Sequence, residues 1–190
     1  MSPLRQLHDE RALYYAQLSL SDLPPKLQWL AQMVASWRVG LGVLPDYLGL
    51  TPEQFTQLVD CYFPDQHLPA QAVSGSQLDF SRMLEREDLV NLLSQYRRSD
   101  DPENQWLISI LVAGCLGQDH LWQDLGLWSR TQLSELLHDN FPALAAKNTQ
   151  DMKWKKFLYK QLCEAEGLFL CRAPSCSVCV DYPKCYGPEV

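Results

Sequence analysis

The chain has 190 residues, 46% of them hydrophobic and 21% charged, enough apolar material for a domain with a real core and too much for a wholly disordered polymer. A net charge of −7 and a pI near 5.0 set it against phosphate backbones, so no nucleic acid is expected as a partner. The longest apolar run, Trp106 to Gly117, is too short to span a bilayer, and Met1 to Glu10 lacks the basic start and apolar stretch of a secretory leader; a cytoplasmic protein with no membrane partner is expected.

In chain order, nearly every predicted element is an amphipathic helix. Leu23 to Trp37 opens on Ser21-Asp22 as a cap region with Pro24-Pro25 in the first turn, and Leu27, Leu30, Ala31 and Val34 then recur at helical spacing. Thr51-Pro52-Glu53-Gln54 starts a second helix: Thr51 can cap, proline suits the first helical position, and Gln54 completes a capping box. Asp65 to Asp79 is poor in large apolar groups and reads as a linker. Phe80 to Tyr96 carries the stripe Met83, Leu84, Leu89, Leu92, Leu93 and Tyr96. A turn at Ser99 to Asn104 precedes Trp106 to Leu116, which is apolar nearly all round and so predicts a central buried helix. Arg130 to Phe141 and Asp151 to Glu166 predict two more, with Gly167 as a stop.

Two stretches echo each other. Trp29-Leu30 returns as Trp106-Leu107, Leu48-Gly49-Leu50 as Leu125-Gly126-Leu127, and Phe63-Pro64 as Phe141-Pro142. The expectation is an all-α helical bundle over residues 1–166, with an internal repeat at 27–64 and 104–142 forming two related helical units. An irregular cysteine-rich tail over 167–190 completes the chain.

That tail holds four of the seven cysteines, as Cys171-x4-Cys176-x2-Cys179-x5-Cys185. Thiolates are soft anionic donors that suit zinc, Cu(I) or iron–sulfur clusters. Cys176-x2-Cys179 lets two sulfurs face one centre across a tight turn, and the longer spacers bring Cys171 and Cys185 around to it. The spacing is neither of the common ferredoxin runs, and it lacks the two separated pairs of a zinc ribbon. Its compactness favours an iron–sulfur cluster over zinc, and disulfides are the third reading.

Around these cysteines stand Met152-Lys-Trp-Lys-Lys-Phe157, Leu162-Cys163-Glu164, Glu166-Gly167, Ala173-Pro174-Ser175-Cys176 and Gly187-Pro188-Glu189. Together with His120-Leu-Trp-Gln-Asp-Leu-Gly-Leu127, they resemble the NifQ family of nitrogen-fixation proteins, most strongly over residues 104–190. The resemblance implies a non-catalytic iron–sulfur protein. It would bind molybdenum at Cys171, Cys176, Cys179 and Cys185, in a cluster that contains molybdenum. It would deliver the metal for biosynthesis of the nitrogenase iron–molybdenum cofactor. The implied partners are the cofactor-assembly proteins, a scaffold and the reductase component, with molybdate as the metal source. The rival functions are an electron-transfer iron–sulfur protein and a helical interaction module with a structural zinc site.

Cys163 and His120 are further candidate ligands; the plainer roles are packing for the thiol and helix capping for the imidazole. Asp119 and Asp124 stand near enough in sequence to orient His120. Cys61 and Cys115 sit among apolar neighbours and read as structural. Trp154, Phe157, Leu158 and Leu162 form the inner stripe of the last helix. Lys153, Lys155, Lys156 and Lys160 then fall on its other faces, either as an ordinary solvated surface or to attract an oxyanion or an acidic partner. No nucleophile elbow, phosphate-binding glycine loop or His-Glu-x-x-His helix is present, so no enzymatic activity is expected.

Overall fold

Nine of the fourteen side-chain positions of one helix, Pro102–Cys115, are buried, and the other helices are arranged around it. A helix apolar on all sides has no face to give to water, so it occupies the centre. The computed structural model describes residues 3–18, 25–64, 66, 68–73 and 85–165. Among them every regular element is helical: α1 (Pro3–Leu18), α2 (Pro25–Arg38), α3 (Pro52–Tyr62), α4 (Arg86–Tyr96), α5 (Pro102–Cys115), α6 (Leu121–Asp124), α7 (Arg130–Asn140), α8 (Pro142–Ala145) and α9 (Trp154–Ala165), with a 3-10 turn at Asp46–Gly49. The fold is all-α, as the periodicity predicts. None of the described helices is long and apolar enough to cross a membrane.

The capping box of α3 forms as its sequence dictates. Gln54 N–H donates to Thr51 Oγ1 at 3.2 Å, and Thr51 N–H donates to Gln54 Oε1 at 3.1 Å, satisfying two donors that a helix start otherwise leaves unpaired. α7 begins in a similar way, with Gln132 N–H donating to Ser129 Oγ at 3.3 Å. The echoing segments share two local features but not one backbone course, since Leu48 stands at φ 58° where its counterpart Leu125 stands at φ −73°. Gly49 and Gly126 precede the two helices at φ 83° and 76°. Phe63 and Phe141 end them at φ −134° and −133°, each buried and each donating its N–H to the carbonyl four residues back at 2.8 Å. Gly126 is required where it stands, because a Cβ there would lie 2.6 Å from Ser36 Cβ. The space is used instead for a bond from Ser36 Oγ to Gly126 O at 2.5 Å, which ties α2 to the start of α7.

Around α5, α4 contributes the fully buried Leu89 and Leu93 and also packs on α8 and α9. In α2 an unbroken run from Ala31 to Trp37 is buried; Trp37 Nε1–H donates to Pro45 O at 3.1 Å, and its ring meets Phe55 edge-on at 5.9 Å. Between them Tyr47 and Leu48 adopt positive φ, 57° and 58°, a costly conformation for residues with bulky side chains. Complete burial of Leu48 holds it there. The described part of the predicted linker is fastened to this turn: Tyr47 N–H donates to Ala70 O, and Ala72 N–H to Asp46 Oδ1, both at 2.8 Å.

α1 has no counterpart among the sequence-predicted helices. It lies along α2, with the Arg38 guanidinium 5.1 Å from the Tyr14 ring centre and Arg11 4.7 Å from that of Trp128. Tyr15 meets the same Trp128 ring at 4.9 Å. Such cation–ring and ring–ring contacts contribute about 0.5–1.5 kcal/mol each without producing a regular apolar stripe.

Candidate functional site

Cys171, Cys176, Cys179 and Cys185, together with the predicted stop at Gly167, lie outside the described residues. What the structure describes is the support from which that segment leaves: α9, which ends at Ala165. Trp154, Phe157, Leu158, Tyr159 and Leu162 face the core, matching the predicted stripe with Tyr159 added.

The N-terminal end of α9 is held in several ways. Asp151 takes a left-handed turn at φ 49°. Arg130 grips it, Nη2 donating to Asp151 O and Oδ1 at 2.7 Å each. Asn148 and Met152 exchange two bonds: Met152 N–H to Asn148 Oδ1 at 2.8 Å, and Asn148 Nδ2–H to Met152 O at 3.0 Å. Trp154 Nε1–H donates to Ser134 Oγ of α7 at 2.9 Å.

Lys155 corrects the reading of the lysines. It does not stand on a solvated face. Its side chain is 15% exposed and forms an ion pair with Asp124, which is 1% exposed. The same ammonium donates to Gly117 O at 2.9 Å and Asp119 O at 2.8 Å. With the Asp124 carboxylate, those acceptors take all three of its N–H donors. Lys155 therefore fastens α9 to the α5–α6 loop. Burial pushes the Asp124 carboxyl above the ordinary carboxylate range, while Lys155 pulls it back. Asp124 Oδ1 has no hydrogen-bond partner among the described residues.

This arrangement also settles the environment of His120. It is exposed and stands at the N-cap of α6, its carbonyl accepting from Gln123 and Asp124 N–H at 2.8 and 3.0 Å, its N–H donating to Gln123 Oε1 at 3.2 Å. Asp124 is turned inward to Lys155, so it does not serve as the orienting carboxylate expected for the imidazole.

Cys163 lies half-buried on α9. Cys115 is buried in α5, and desolvation pushes its thiol up to about 12, in keeping with a structural role. Cys61 is exposed; one turn beyond the buried Leu58, Tyr62 takes the inner position and Cys61 faces out. The apolar neighbours that made Cys61 read as structural are sequence neighbours only. Among the described residues no three His, Cys, Asp or Glu side chains form a cluster that could hold a metal ion.

A cleft of about 420 Å³ opens between the α8–α9 loop and α9, bordered by Lys147, Thr149, Gln150, Lys160, Gln161 and Glu164. Lys160 Nζ is 3.6 Å from Glu164 Oε1, and Gln161 Nε2–H donates to Glu164 Oε2 at 2.8 Å. Sequence reasoning grouped the lysines but could not separate Lys155, which is consumed inside, from Lys160, which borders this cleft.

Comparison with known proteins agrees with the motif. The NifQ family profile matches residues 29–187, a span that includes all four tail cysteines. The chain is similar to Protein NifQ of Azotobacter vinelandii, 45% identical over 172 residues, which covers 85% of this chain and 88% of the relative. It is 36% identical over 163 residues to Protein NifQ of Rhodobacter capsulatus, covering 84% and 87% of the two chains. With Protein NifQ of Klebsiella pneumoniae it shares 32% identity over 169 residues, covering 85% and 99%. No solved structure matches the chain significantly.

Proposed function

The chain belongs to the NifQ family of nitrogen-fixation proteins, and from that premise we propose that it is a non-catalytic carrier that binds molybdenum in an iron–sulfur cluster and delivers it for assembly of the nitrogenase iron–molybdenum cofactor. One observation carries the reading: the run Cys171-x4-Cys176-x2-Cys179-x5-Cys185 is complete and lies within the family match.

The chemistry of the donor set is consistent with this cargo. Four thiolates within fifteen residues suit a cuboidal cluster, where about three hold iron and one metal position can exchange. The proposed recipients are the cofactor-assembly proteins, a scaffold and the reductase component. Molybdate is the proposed metal source and the cytoplasm the proposed setting. Cys163, two residues before the end of α9, and His120 at the α6 cap are kept as candidate additional ligands.

Anaerobic purification followed by iron, sulfide and molybdenum counting tests the proposal. Molybdenum is expected to copurify with iron and sulfide. Cys176→Ser or Cys179→Ser should abolish all three while far-UV circular dichroism stays unchanged. Iron and sulfide without molybdenum would favour electron transfer, zinc without sulfide a structural knuckle; either result overturns the carrier reading.

A further inference from the structure

We propose that the cleft between the α8–α9 loop and α9 is a holding site for a tetrahedral oxyanion, with Lys147 and Lys160 as its cationic walls. The inference rests on the carrier reading for its biological sense, but its physical basis is independent of the cysteines.

The lysines around α9 are not equivalent. An ammonium has three donors. Lys155 spends all of them on Asp124, Gly117 and Asp119, so it has nothing to offer a ligand. Among the described residues, Lys160 has a single 3.6 Å approach to Glu164. Lys147 donates to the Tyr96 hydroxyl and lies 4.5 Å from the centre of that ring, which keeps the ammonium in place with donor capacity to spare. Both border the same cleft.

Of the remaining borders, Thr149 offers a hydroxyl and Asn148, Gln150 and Gln161 offer amides, while Met152 and Phe157 are apolar. The volume of about 420 Å³ corresponds to on the order of a dozen waters. A tetrahedral dianion therefore enters with part of its hydration shell, which suits reversible holding and argues against tight capture. Among the described residues, Glu164 is the one carboxylate on the border. It competes with an anion for Lys160, and it places the opposing charge where its removal can be read.

The cleft ends at Glu164, one residue before the last of α9. An anion held there is close, along the chain, to the start of the thiolate segment. The body of the protein would then supply the oxyanion end of the delivery route, with the sulfur ligands downstream of it.

Equilibrium dialysis of the full-length chain against molybdate at low ionic strength tests the site. Lys147→Gln with Lys160→Gln is expected to weaken binding about tenfold. Glu164→Gln should tighten it about threefold, and Lys153→Gln, which removes a lysine that does not border the cleft, should leave it unchanged. Sulfate, of like shape and charge, should displace molybdate. Lys160→Gln alone, which disturbs only a surface contact, guards against loss of fold in the double variant and should show a partial effect. A full-length variant with all four tail cysteines changed to serine should still bind. Binding that ignores the lysine changes, resists sulfate, or vanishes with the cysteines overturns the cleft. None of those results touches the carrier reading, which stands or falls on the molybdenum-to-iron count.

Discussion

Lys155 of α9 and Asp124 of α6 form an ion pair inside the protein, 31 residues apart in sequence, with the ammonium also capped by the carbonyls of Gly117 and Asp119. The carboxylate has one oxygen in this pair and one without a described partner. A charge pair this deep is costly to desolvate and is stable only while both members are present.

Removing one member should therefore be worse than removing both. Asp124→Ala leaves a buried ammonium with only carbonyl partners and should cost about 3–5 kcal/mol. Asp124→Leu combined with Lys155→Met should recover most of that loss. Urea unfolding followed by circular dichroism gives both values; equal losses in the single and double variants would contradict the assignment.

The pH dependence of stability has a definite sign. The folded-state carboxyl of Asp124 is raised by burial above its ordinary 3.8, so in the interval between the two values the folded state binds more protons than the unfolded chain. Its contribution is most favourable below 3.8 and diminishes as pH rises through the raised value. Stability of the parent minus that of Asp124→Asn should fall with rising pH across this interval. Lys155 and Asp119 are the charged groups that act on it. A difference that is flat, or that rises, rejects the shift.

Two cysteines of the body should react very differently. Cys61 is exposed, whereas the buried Cys115 thiol is pushed from 9.0 up to about 12, which lowers its thiolate population roughly a thousandfold near neutral pH. Iodoacetamide with peptide mass mapping of the folded protein should label Cys61 and spare Cys115. Comparable labelling would mean that α5 opens readily.

Gly117 is fixed by the same buried pair. A Cβ at this position would collide with the Asp124 carboxylate. Gly117→Ala should destabilise by about 1–3 kcal/mol through this overpacking, and it should do so less in an Asp124→Ala, Lys155→Met background, where the colliding carboxylate is gone. Thermal melting of the four proteins measures that coupling.

Much of the body was legible. Thr51, Pro52 and Gln54 dictate the start of α3 by local chemistry, and the apolar run after Trp106 dictates a central helix whatever surrounds it. The inner face of α9 followed from Trp154, Phe157, Leu158 and Leu162. Three things were not legible. Lys155 reads as a surface residue, because periodicity assigns lysine to water, and only a distant aspartate makes its burial tolerable. α1 escaped because Arg11, Tyr14 and Tyr15 are packed by contacts with Trp128 and Arg38, which leave no apolar rhythm while Leu4 and Leu13 stay exposed. The left-handed pair Tyr47 and Leu48 has no signature at all, since nothing about a leucine announces that conformation. Of the candidate site, spacing marks the four cysteines, which lie outside the described residues. It could not supply the cleft, which Lys147 of the α8–α9 loop and Lys160 of α9 both border.

The fastening of α9 at one end has a mechanical consequence. Asp151 and Trp154 are bonded to α7, Met152 to the loop before the helix and Lys155 to α6, so the polar fastenings of the helix gather at its root. Strain arriving at its C-terminal end would pass Cys163 and the buried Leu162 before it reaches that root, and amide exchange should slow steadily from Ala165 back toward Phe157 rather than rise and fall together.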